Sequence, residues 1–260
     1  MNAQKMNRTQ IVCYGAGVDS TAMLIELTKR GFIMDHIFFS DTGGEKSETY
    51  AFIPRFSSWL EKNGQPPIKI LKYQREDGSE ETLEEELRRR KALPPIAYGF
   101  KSCSEKYKIR PINKFLRQNC KHIFNAEEKP IKYIGFDLTE KRRMKEDPDG
   151  IFENRYPLIE WNITREMAQE IIKNEGFCLP PKSSCFFCPN MKAKEVLRLP
   201  EDLKQRAIEM EREAKDSLSN LKGLGRTYSW EKLINADRSQ HKLFDDLDLD
   251  VYNTPCECVD

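Results

Sequence analysis

Apolar positions along the chain follow two periods. Short apolar runs at residues 10–14, 36–40, 68–72 and 131–136 have the length of buried strands, and glycine or polar clusters punctuate them. Between them the spacing lengthens. Ala22, Met23, Leu24, Ile25 and Leu27 predict a helix over 20–30. Tyr50, Ile53, Phe56, Trp59 and Leu60 predict another over 46–63, with Pro54 early in it or kinking it. Strands separated by helical segments need crossovers, which favour a parallel sheet with helices on its faces. The expected fold is therefore α/β, a parallel twisted sheet flanked by helices. From about residue 150 the pattern changes. Residues 156–161 read as short and extended, Thr164 caps a helix over 165–174, and 203–218 reads as a charged helix. The chain is expected to divide into an α/β domain over 1–150 and a C-terminal helical, cysteine-bearing subdomain over 151–260.

Parallel sheets bind ligands at the carboxyl ends of their strands. Three clusters sit at such ends: Tyr14-Gly15-Ala16-Gly17-Val18-Asp19-Ser20-Thr21, Asp41-Thr42-Gly43 and Gly135-Phe136-Asp137. The first joins a strand to a helix through glycines. The unpaired amides of the first helical turn and the helix dipole favour an anion there. Gly15 and Gly17 lack the Cβ atoms that would keep a phosphate from the backbone. Asp19, Ser20 and Thr21 are all good N-caps. No Gly-Lys-Ser/Thr ends the turn, so it is not a Walker A loop, and the third glycine of a dinucleotide fingerprint is missing. Asp41 offers hard oxygens for Mg²⁺ on the phosphates or a hydrogen bond to a nucleoside, unless it serves only the turn.

Eight cysteines change the picture more than the net charge of +1, which argues neither for nor against a polyanionic partner. No apolar run approaches the ~20 residues of a membrane helix. Residues 1–5 lack the apolar core of a signal peptide, so a cytoplasmic protein without a membrane partner is expected. Thiols there point to metal or redox chemistry rather than disulfides. Cys185 and Cys188 form a Cys-x-x-Cys knuckle, followed by Pro189. Cys103 lies upstream and Cys256 and Cys258 lie in the tail. Two wirings are open. Cys103, Cys185, Cys188 and Cys256 hold a metal while Cys258 is a nucleophile, or Cys185, Cys188, Cys256 and Cys258 are the ligands. Four thiolates suit a [4Fe–4S] cluster or Zn²⁺. Cys13, Cys120 and Cys178 sit in apolar contexts and are assigned to packing. His36, His122 and His241 have no identifiable partner in the sequence.

The segment Gly15-Ala16-Gly17-Val18-Asp19-Ser20 resembles the Ser-Gly-Gly-x-Asp-Ser phosphate loop (PP-loop) of the adenine nucleotide α-hydrolase-like superfamily. Cys103 with Lys108-Ile109-Arg110-Pro111, Cys185-x-x-Cys188 and Glu257-Cys258 resemble, in order, elements of the phosphoadenosine phosphosulfate (PAPS) reductase family. Ser104 and Val259 depart from that pattern, where the family has a second cysteine and a glycine. Gly135 to Arg143 resembles the family segment that lies over the nucleotide, which assigns Gly135, Glu140 and Arg143 to it. Asp19, Arg143 and Cys258 are the catalytic residues the resemblance implies. It also implies a nucleotide-binding first domain, relationship to DNA-phosphorothioation and tRNA-thiolation ATP pyrophosphatases, and Mg²⁺. The Gly17-Val18-Asp19-Ser20 form favours ATP and sulfur transfer. The alternatives are PAPS or APS reduction to sulfite, and a non-catalytic ATP-binding or DNA-modification accessory protein.

The stretch from Glu80 to Lys91 runs acidic then basic, with Glu84, Glu85 and Glu86 four residues before Arg88, Arg89 and Arg90. It reads as a solvated helix face, with a polyanion surface as the alternative. A tRNA or DNA acceptor, a sulfur-donor protein and an oligomer are the partners the resemblance implies.

Overall fold

A computed structural model of the 260-residue chain describes residues 8–100, 102–125, 128–218 and 220–244. The strands are β1 (Gln10–Cys13), β2 (His36–Asp41), β3 (Ile68–Lys72), β4 (Ile131–Tyr133) and β5 (Glu153–Arg155). The helices are α1 (Val18–Lys29), α2 (Ser47–Lys62), α3 (Leu83–Arg89), α4 (Ser102–Ser104), α5 (Arg110–Asn119), α6 (Pro157–Glu160), α7 (Arg165–Asn174), α8 (Ala193–Leu197), α9 (Glu201–Glu213) and α10 (Trp230–Phe244). A π-helical turn, Glu105–Ile109, joins α4 to α5. Pro111 lies in the first turn of α5 and offers no N–H to the carbonyl four residues back, so the hydrogen-bond ladder is interrupted where the π-turn meets α5.

The described residues form two compact units. The first comprises residues 8–41, Glu45–Lys72 and Ile109–Ser183. Its five strands are all parallel, in the order β3-β2-β1-β4-β5. Side chains alternate across the sheet. Val12, Ile37 and Phe39 join a core with α1, α2 and α7, whereas Ile11 and Phe38 join one with Ile112 and Leu116 of α5. The expected α/β architecture is therefore present. The chain goes outward from β1 to β2 and β3, then returns to the other side of β1 for β4. The switch point is the crevice between the carboxyl ends of β1 and β4, where such sheets open a ligand site.

The second unit comprises Thr42–Gly44, Tyr73–Lys108 and residues 184–244. Its core gathers Leu83, Leu87, Tyr107, Phe186, Phe187, Ile208 and Trp230. The division expected at residue 150 is not where the chain divides. β5 pairs with β4 and α7 packs on α1, so the sheet-bearing unit runs on to Ser183. Residues 73–108 instead join the cysteine-bearing part. Composition changes along the sequence, but units are set by which faces bury each other.

Three local expectations also change. Gly17, not Asp19, Ser20 or Thr21, is the N-cap of α1, because the Ser20 hydroxyl reaches back to the cap from the first turn. The span 156–161 is a helical turn rather than extended, with Pro157 preset for the first helical position and Trp161 N–H on its carbonyl at 2.9 Å. Helix α2 runs through Pro54, whose ring lies on the solvent side.

Candidate nucleotide site and thiol cluster

The turn after β1 lies at the switch point of the first unit. Gly15 and Gly17 N–H both donate to Ser20 Oγ, at 3.2 and 3.3 Å, and the Ser20 hydroxyl lies 3.2 Å from the Gly17 carbonyl. The first helical bond is Thr21 N–H to Gly17 carbonyl, 3.0 Å. The expectation that amides throughout 15–20 face a ligand is thus narrowed. Those of Gly15 and Gly17 are engaged, and the orphan donors of the first turn are Val18, Asp19 and Ser20. Ala16 holds φ at 54°, the left-handed region in which the resembling loop carries glycine, and is fully buried.

Gly135, after β4, backs directly onto this turn. A Cβ there would lie 2.7 Å from Ser20 Cα and 2.8 Å from Ser20 N. The absence of a side chain lets the loop after β4 close the crevice against the amides. Ser183 stands at the other flank, where a Cβ on Gly17 would come within 3.1 Å of its hydroxyl.

Asp19 is the charged centre. One carboxylate oxygen pairs with Arg165 at the start of α7; the other, Oδ1, is buried without a hydrogen-bond partner among the described residues. Burial pushes its carboxyl above the usual range, against the pull of Arg165, and Asp137 and Glu140 push the same way. Carboxylate atoms of Asp19, Asp137 and Glu140 lie within 4.8 Å of one another. Three converging carboxylates, on residues one of which keeps an unpartnered oxygen, fit a divalent cation such as Mg²⁺. Asp137 also caps the following turn, Leu138–Arg143, accepting from Thr139 N–H at 2.8 Å and Thr139 Oγ1 at 2.6 Å.

Other residues expected here are placed differently. Arg143 pairs with Glu140, and its guanidinium carbon stands 4.2 Å over the Phe136 ring. The Asp41 carboxylate accepts from Tyr50 Oη at 2.7 Å and is not part of the carboxylate trio. Tyr14 points into the core, its ring stacked on Phe56 at 5.6 Å and its hydroxyl 3.1 Å from Thr21 Oγ1. Burial pushes that phenol well up, and the Tyr14 N–H is engaged by the Phe38 carbonyl at 2.8 Å. Val18 and Thr21 are likewise buried.

In the second unit, Cys103, Cys185 and Cys188 all pack, half-buried, against the same apolar cluster. Cys188 N–H donates to the Cys185 carbonyl at 3.0 Å, closing the knuckle as a tight turn. Thr42 Oγ1 lies 3.1 Å from Cys185 Sγ, and Gly44 carbonyl accepts from Phe186 N–H at 2.7 Å. The three sulfurs do not all come within 4.8 Å of one another. Their donor chemistry fits a thiophilic metal or cluster. The fourth ligand or nucleophile expected at Cys256 and Cys258 lies outside the described residues. Burial pushes the Cys13 and Cys120 thiols up, as suits packing roles, whereas Cys178 is exposed rather than packed. His36 has a partner after all, Cys120 Sγ at 3.3 Å from Nε2.

Sequence reasoning missed Arg165 and Ser183. Arg165 follows a recognised cap, but only the packing of α7 on α1 brings it to Asp19. The polar run Lys182-Ser183-Ser184 ahead of Cys185 was the available signal for Ser183.

No protein-family model matches the chain, and no curated protein sequence does. Among solved structures, the chain is similar to the U34-tRNA thiolase NcsA from Methanococcus maripaludis with its [4Fe-4S] cluster. Identity is 13% and the TM-score 0.43, over 96% of this chain and 77% of that one. Among the described residues, no helix is long and apolar enough to cross a membrane.

Proposed function

We propose that the chain binds ATP at the turn after β1 and opens it at the α-phosphate to activate an acceptor for sulfur transfer, as a PP-loop enzyme of the PAPS reductase kind. The observation that carries this reading is the meeting, at the switch point, of the amides of Val18, Asp19 and Ser20 with the carboxylates of Asp19, Asp137 and Glu140. Amides and helix dipole favour the phosphoryl oxygens. Asp19, Asp137 and Glu140 would hold Mg²⁺, which supplies charge neutralisation on the phosphates when bound. An acceptor oxygen attacks the α-phosphorus, the bond to the bridging oxygen breaks, and pyrophosphate leaves with the electron pair. The backbone donors stabilise the charge that develops on the equatorial oxygens. The outer sulfur of a persulfide, loaded on Cys258 by a sulfur-donor protein, then displaces AMP from the adenylated acceptor, and a thiol reductant cleaves the resulting disulfide to release the thiolated acceptor and Cys258. Cys103, Cys185 and Cys188, with Cys256, would hold a [4Fe–4S] cluster or Zn²⁺.

The test is anaerobic purification with iron, zinc and sulfide analysis, followed by incubation with ATP, PAPS or APS. The expected results are Mg²⁺-dependent pyrophosphate release from ATP, abolished in Asp19→Asn, and metal lost in Cys185→Ser and Cys188→Ser. Sulfite released from PAPS without ATP would replace the reading with a reductase. Tight ATP binding without turnover would replace it with an accessory protein.

A further inference from the structure

The acidic-then-basic stretch singled out in the sequence is neutralised by its own unit. Arg88 pairs with Glu84, Glu209 and Glu213, Arg89 with Glu81, and Arg90 with Glu86. Positive charge gathers instead around a cleft of about 1090 Å³ between the end of α9, residues 220–229 and the start of α10. Four cations line it against two carboxylates, Glu211 and Glu231, both already held by hydrogen bonds. Glu211 accepts from Leu224 N–H at 2.6 Å, Trp230 N–H at 2.8 Å, Ser229 Oγ at 2.7 Å and Glu231 N–H at 2.9 Å. Glu231 takes the guanidinium of Arg212 through Nε and Nη2, at 3.1 and 2.6 Å. Lys215, Lys222 and Lys232 remain exposed on the rim, in no ion pair among the described residues.

The wall is tied together by its own side chains. Glu211 joins the middle of the loop, at Leu224, to its end at Ser229 and Trp230. A Cβ on Gly223 would lie 2.2 Å from its carboxylate, and one on Gly225 would lie 2.6 Å from the Tyr228 ring, which rests on that backbone. Arg226 holds φ at 65°, fixed by bonds from its guanidinium to Asn190 Oδ1 at 2.6 Å and the Ile96 carbonyl at 3.2 Å. A preformed wall loses little entropy on binding.

We infer that this cleft is a binding site for single-stranded nucleic acid, with Lys215, Lys222 and Lys232 taking consecutive phosphates and Tyr228 offering its ring to a base. Three cations around an aromatic wall match a ligand that repeats charge and flat rings along one strand. An acidic protein would use the cations but not the ring. The site is separate from the nucleotide turn, and its existence does not depend on ATP chemistry.

Fluorescence anisotropy with a fluorescein-labelled single-stranded RNA 12-mer, titrated with the full chain from 50 to 250 mM KCl, tests it. Single strands give a slope of log K against log salt of about −0.7 per phosphate neutralised, so three lysines predict about −2. Lys215→Gln, Lys222→Gln and Lys232→Gln should each flatten the slope by about 0.7, with melting temperature unchanged. Tyr228→Leu should weaken binding about fivefold or more without changing the slope. Wild-type chain that does not bind at 50 mM salt overturns the inference. So does a triple lysine variant that binds as wild type, or competition by polyglutamate at equal charge as effective as RNA.

Discussion

Gly135→Ala puts the central argument at risk with a single methyl group. The new Cβ would stand 2.7 Å from Ser20 Cα, 2.8 Å from Ser20 N and 3.1 Å from the Asp19 carbonyl carbon. Relaxed contacts lie at about 3.5–4.0 Å, so roughly 0.7–1 Å must be found. Every opposing atom is backbone, and no side chain can swing away. Overpacking of this kind costs about 1–3 kcal/mol, which for a chain of this size lowers Tm by about 2–12 °C. The effect on ligand binding is separate. Parting the two backbones by ~0.7 Å shifts the Asp19 and Ser20 amides relative to the Asp137 and Glu140 carboxylates that follow Gly135, so a ligand held by both loses a hydrogen bond to one of them. A charge-assisted bond is worth about 1.5–3 kcal/mol, so ATP affinity should fall about 10- to 100-fold. Calorimetric titration with Mg-ATP and a thermal melt read both quantities on one sample. Unchanged ATP affinity would refute the placement of those amides on the phosphates, even if the melt moved. An unchanged melt as well would refute the close approach itself.

Other expectations follow from particular contacts. Arg155 holds the Glu160 carboxyl below its usual range through two hydrogen bonds, at 2.8 and 2.6 Å. An acid with a depressed folded-state pKa stabilises the fold above its unfolded value of about 4.3, and that contribution is lost as pH falls through the folded value. Arg155→Gln should therefore flatten the acid arm of the Tm–pH profile below about pH 4.5, and an unchanged acid arm would count against the pair. Glu211→Ala strips the acceptor from two buried amides, Leu224 and Trp230, and should cost about 3–5 kcal/mol in urea unfolding. Glu211→Gln, which keeps one carbonyl, should cost about half as much, and a loss under 1 kcal/mol for the alanine variant would show the loop held by other means. Ala16→Gly relieves a left-handed alanine, worth about 1–2 kcal/mol, but gives up a buried methyl and gains unfolded-state entropy. Its unfolding free energy should stay within about 1 kcal/mol of wild type, and a larger change in either direction would contradict that balance.

What the amino-acid order determined by itself was local and periodic. Four of the five strands, the helix start after Thr164 and the strand–glycine–helix turn followed from spacing, caps and backbone freedom within a few residues. Those interactions are short-range, so the information lies in adjacent letters. The short β5 was missed because Glu-Asn-Arg carries no apolar signal; its pairing with β4 makes it a strand. Tertiary structure alone decided which distant groups meet. Arg165 reaches Asp19 only because α7 packs on α1, and Gly135 matters only because the sheet returns to β4 beside β1. It also decided which charges survive. Arg88 is cancelled by carboxylates more than a hundred residues away and Arg89 and Arg90 by ones close in sequence, while three scattered lysines near α10 are in no ion pair among the described residues. Charge and proximity are properties of the folded surface, and no window along the chain contains them.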